Sequence, residues 1–165
     1  MSIANTFADE LQHESVATRK LLEIVPEAHF GWRPHEKSMT LVQLASHLAE
    51  IPTWAGKALD TDEYILDMKS YKPFIATTRK EILERFDANL KSALEKLRGV
   101  PDAKMSTVWK LKKANEVVLA LPRAAVVRGM VLNHSYHHRG QLSVYLRLKD
   151  VPLPSIYGPS ADTPR

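Results

Sequence analysis

His134 and His138 stand four residues apart in the segment His134-Ser135-Tyr136-His137-His138-Arg139-Gly140-Gln141. On a helix their imidazoles leave one face about a turn apart. Taking about 100° per residue, Val127, Val131, His134, His138, Gln141 and Tyr145 fall within a sector of roughly 80°, so exposing the histidines would expose the apolar residues with them. An isolated pair at this spacing is usually solvent-facing or hydrogen-bonded. Burying such an imidazole without a partner costs about 1 to 3 kcal/mol, whereas coordination satisfies its ring nitrogen. His47, far upstream, sits on a comparable stripe with Leu44 and Ile51. A lone histidine between leucines is more often a satisfied core residue. Three inward imidazoles from two helices instead point to a transition metal held at His47, His134 and His138, with positions left open for water or substrate. Ser135 stands where the glutamate of a His-Glu-x-x-His motif would be, which excludes a zincin.

Two further residues are candidates for proton chemistry. His137 lies roughly 60° from His134 on the helical wheel, at the edge of the inward sector, where an acid/base, hydrogen-bonding or packing role is open to it. Glu50 follows His47 by about one turn and could orient it or relay a proton, although a glutamate at a helix edge is usually just solvated. Trp54, on the same side, is expected to wall a pocket or simply to fill core.

These side chains must be positioned by helices. Phe7, Leu11, Thr18, Leu22 and Val25 mark a first helix over about residues 3 to 24, closed by Pro26. Glu27 to Met39 has no clear period and reads as a loop anchored by its aromatics. Thr40 with Gln43 forms a capping box that starts a second helix through Leu41, Leu44, His47, Leu48 and Ile51. Pro52 must then kink or restart it, because its ring clashes with the carbonyl of Leu48. Residues 59 to 76 read as a long crossing loop able to cover a pocket. Thr78 with Glu81 is a second capping box, opening a third helix along Ile82, Phe86, Leu90, Ala93 and Leu97 that ends at Gly99 and Pro101. A short β-hairpin is expected from Thr107 to Leu111 and Val117 to Leu121, before a final helix running from Pro122 to about Leu148. The prediction is an all-α four-helix bundle, with that hairpin before its last helix and an extended tail after Pro152.

The 165 residues suit one domain over 1–165, and the 44% hydrophobic, 25% charged composition is that of an ordinary globule. With no export signal and no apolar run approaching a membrane span, a cytoplasmic protein is expected. The chain has no cysteine, so thiol chemistry would require a thiol that arrives as substrate. A net charge of +4, with bases interleaved among acids, gives no indication of nucleic acid binding. Lys110, Lys112 and Lys113 are taken as a solvated loop. Ala125, Gly129, Leu132, Tyr136 and Ser143 make a second smooth face on the last helix, read as a homodimer surface.

With these features in hand, the chain resembles the DinB-like family of bacterial four-helix-bundle metalloproteins, which is related to bacillithiol- and mycothiol-using S-transferases. The resemblance rests on Trp32-Arg33-Pro34, the run from Leu44 to Glu50, the His134 to Gln141 segment and Tyr157-Gly158-Pro159-Ser160-Ala161-Asp162. It implies His47, His134 and His138 as ligands of nickel, zinc, manganese or iron, and homodimers. The expected activity is a metal-dependent thiol S-transfer to small electrophiles from a low-molecular-weight thiol. The alternatives are a non-catalytic metal-binding stress-response protein and a metal-dependent hydrolase.

Overall fold

The computed structural model describes residues 2–67 and 69–163; Met1 and the last two residues of the expected domain, and Met68 in the crossing segment, lie outside the described residues. Helix α1, Ile3–Glu23, is capped by the Ser2 hydroxyl, which accepts from the Asn5 amide, and buries the expected Phe7, Leu11, Thr18 and Leu22. The 27–39 segment begins with a single 3-10 turn, Glu27–His29. Trp32 then anchors it, meeting Tyr145 edge to face with ring centroids 5.7 Å apart.

Helix α2, Leu41–Glu50, opens with the complete Thr40/Gln43 capping box. Pro52 ends it, and α3 restarts at Thr53–Asp60. The carbonyls loosened at this break find other donors. The Asn89 amide donates to Ala49 O at 2.9 Å, and the Thr53 hydroxyl donates to Glu50 O at 2.7 Å. The break is thus a fixed bend just after His47.

Residues 59 to 76 are not wholly loop. Glu63–Ile65 forms strand β1, which pairs in parallel with β2, Val108–Lys113, while β3, Glu116–Pro122, closes the expected hairpin antiparallel to β2. The chain is therefore mostly helical with a three-stranded sheet rather than all-α, and Lys110, Lys112 and Lys113 stand on a strand rather than in a loop. Three residues are too few to carry a readable period; tertiary contacts fix this strand. Trp109, fully buried, donates its indole N–H to Lys57 O at 3.0 Å. The buried Arg123 donates to Thr61 O at 2.8 Å and to Asp62 Oδ1 at 2.6 Å. The sheet is thereby welded to the end of α3.

Helix α4, Arg79–Leu97, starts at Thr78 as expected, but Glu81 returns its carboxylate to the Thr77 amide rather than to that of Thr78. After the short α5, Asp102–Met105, the final rod begins at Pro122 with α6, Arg123–Val127. It continues as a π-helical segment, Arg128–Asn133, and ends as α7, His134–Arg147. Pro52 and the π turn divide two of the expected helices, so the segments outnumber four. The core lies in two clusters. One joins the start of α1, α3, Trp109 and α6. The other joins the end of α1, α2, α4 and α7. Among the described residues no helix is long and apolar enough to cross a membrane.

Candidate metal centre

His47 on α2 and His134 and His138 on α7 meet between the two helices. Their ring centroids form a near-equilateral triangle, 5.0 Å from His47 to His134 and 4.6 Å for each of the other two pairs. One ring nitrogen from each lies within 4.8 Å of the other two. His47 Nε2 and His134 Nε2 are 3.1 Å apart. Two nitrogens bound to one ion at about 2.0–2.1 Å would be separated by roughly 3.0 to 3.4 Å, which brackets that spacing. A proton shared between two rings would satisfy only one pair, whereas a cation near the centre meets all three. The residues present therefore fit a metal ion.

The local backbone explains why His134 faces inward. In the π segment the amide of His134 bonds to Gly129 O, five residues back, instead of Met130 O. The Met130 carbonyl is left where it favours a ring N–H on His134. His138 is oriented from its own helix: its Nδ1 lies 2.7 Å from Gln141 Oε1. An amide oxygen only accepts, so this contact places the proton on Nδ1 and leaves the Nε2 lone pair available.

Electrostatics favour the same state. Burial, helped by the neighbouring His138 and His134, pulls the His47 pKa down to about 4. Burial likewise lowers His134, against the Met130 carbonyl, and His138, against Gln141. All three rings are then neutral near pH 7, the form a metal requires.

A cavity of about 270 Å³ opens beside the triad, lined by His47, Glu50, Trp54 and Lys57 from α2 and α3, and by Tyr71 and Lys72 from the 66–76 segment. That segment is pinned over α2 at two points. Ala76 N donates to the buried Ser46 hydroxyl at 3.0 Å, and Phe74 N donates to Glu50 Oε2 at 3.4 Å. Glu50 thus lies beside His47 on the cavity wall, and Trp54 walls it. His137 stays outside the triad, exposed, with its ring 4.9 Å from that of His138.

Sequence reasoning did not find Lys57, Tyr71 or Lys72, since nothing in their spacing ties them to His47. It also missed Gln141 as the partner of His138, although glutamine three residues beyond a histidine was a readable signal. The smooth face of the last helix splits. Leu132 is buried, Tyr136 donates to Glu10 Oε1 on α1 at 2.7 Å, and Ala125 and Gly129 remain exposed.

The DinB family model matches residues 1–164 of the chain. The structure is similar to that of a DinB-like protein from Bacillus cereus, with a TM-score of 0.71 and 20% identity over 92% of this chain and 95% of that one. It is also similar to a DinB-like protein from Bacillus subtilis, with a TM-score of 0.66 and 15% identity over 91% and 96% of the two chains. At such identities the likeness speaks for the fold alone. Among curated proteins nothing matches.

Proposed function

The chain belongs to the DinB family, and from that premise we propose that His47, His134 and His138 hold a divalent transition metal (nickel, zinc, manganese or iron) and that the protein is a metal-dependent thiol S-transferase. The observation that carries the reading is the convergence of three neutral imidazoles beside a cavity that His47 helps to line. A divalent cation bound there lowers the pKa of a thiol and favours its thiolate form.

The chain's own residues do the rest. A protein without cysteine must borrow its nucleophile. The cavity beside His47 is where a small thiol and a small electrophile would meet, with Ile51 and Trp54 excluding water. The borrowed sulfur forms the new bond to carbon as the bond to the leaving group breaks. Glu50, on the same wall, is the residue placed to accept the proton that the thiol gives up. His137 serves as a packing partner of His138. In this reading α1, α2, α4 and the rod from 123 to 147 act as the four helices of a bundle within one domain, cytoplasmic and homodimeric.

The hydrolase alternative assigns Glu50 as base for a water in the same cavity. The non-catalytic stress-protein alternative uses the triad only to tie α2 to α7. Following loss of free thiol on mixing with an epoxide or alkyl halide separates them. The transferase consumes thiol in a metal-dependent way and His134→Ala does not. Metal-dependent stabilisation without turnover of thiol or ester would overturn the enzyme reading.

A further inference from the structure

We propose that Lys57 and Lys72 form a carboxylate-recognition subsite in the cavity beside the triad, so that the thiol it accepts is a mercapto-carboxylic acid, with sulfur toward the imidazoles and its carboxylate between the lysines. This rests on the thiol reading above and names the substrate class.

Lys57 is a cation set in place before any ligand arrives. Its backbone carbonyl is held by the Trp109 indole at 3.0 Å, so the sheet fixes this turn of α3. Its ammonium lies 4.1 Å from the centre of the Trp54 ring and 4.8 Å from that of Tyr64, and those two rings meet edge to face with centroids 5.7 Å apart. The ring faces attract the charge but accept no strong hydrogen bonds from its N–H groups.

Among the described residues no carboxylate comes within 4.0 Å of Lys57 or Lys72. By contrast, Lys96 and Lys112 nearby each have an acidic partner. Burial pushes the Lys57 ammonium below its ordinary range, with Glu50 acting in the opposite sense. A half-buried ammonium that feels Glu50 but has no carboxylate within ion-pair distance carries a desolvation cost that an arriving carboxylate offsets. Lys72 adds a second cation from the pinned loop, and Glu50 is the single carboxylate of the lining. The lining therefore sets two cations against one carboxylate, next to the neutral imidazole of His47, which suits a soft donor.

The test is equilibrium titration of cobalt-loaded protein with 3-mercaptopropionate and with its uncharged amide, followed by heat release and cobalt absorption. The native protein should bind the carboxylate at least tenfold more tightly than the amide. In Lys57→Met and Lys72→Met that ratio should fall toward one, while affinity for the amide moves less than twofold. Lys57→Arg should restore at least half of the preference. Equal affinity for the two probes in the native protein, or a preference that survives both methionine substitutions, overturns the subsite and leaves the thiol reading standing. Binding of neither probe overturns both.

Discussion

Replacing Gln141 by leucine tests whether His138 is held as a ligand rather than merely packed. Gln141 Oε1, 2.7 Å from His138 Nδ1, is the only side-chain contact the structure gives that nitrogen among the described residues. Leucine keeps the volume and helix propensity of the site but cannot accept the Nδ1 proton. Loss of such an outer partner lowers metal affinity by about 10- to 100-fold. Gln141 is exposed, so water can replace its oxygen, and the lower end applies: about tenfold, or about 1.4 kcal/mol. Gln141→Glu, which makes the ring more basic, should bind at least as tightly as the native protein. Competitive zinc titration against a chromophoric chelator measures both variants. Unchanged affinity in Gln141→Leu, with Gln141→Glu also unchanged, would refute the role assigned to His138 Nε2.

Two further outcomes follow from the polar groups around the rod. Arg139 is buried and donates to Glu14 O at 3.0 Å, to Glu14 Oε2 at 2.7 Å and to the Tyr157 hydroxyl, whose own proton goes to Glu14 at 2.5 Å. Glu14→Ala leaves that buried guanidinium without its counter-charge and should cost about 3 kcal/mol in denaturant unfolding, and a loss below about 1 kcal/mol would show that water reaches it. For the metal-stripped protein, an unfolded histidine titrates near 6.5 while folded His47 does so at about 4. Between those values the unfolded chain binds more protons, so stability should be full above about pH 6.5 and fall steadily towards pH 4. That loss should be smaller in His47→Leu; identical pH profiles for the two proteins would contradict the assignment.

Much of the fold was legible because it rests on local chemistry. The capping box at Thr40, the break at Pro52 and the stripe from Ile82 to Leu97 are short-range signals, and each appears where expected. The hairpin was visible in its two apolar arms. Strand β1 was not, because Glu63–Ile65 owes its pairing to Trp109 and Arg123 far along the chain. The π segment was also hidden, since no residue type marks the place where one extra residue enters a turn. The convergence of the triad could be argued from an apolar face, and the three histidines do come together. The cavity's remaining wall comes from a segment tethered through Ser46 and Glu50, contacts separated by 30 and 24 residues, and no periodicity reaches that far.

The central claim is that imidazoles from α2 and α7 bind one ion between them. Elemental analysis of purified protein, native and His47→Ala, tests it most directly. The account predicts close to one equivalent of a divalent transition metal per native chain and less than about a tenth of that in the variant, with helix content unchanged. Equal metal content in the two proteins would contradict it.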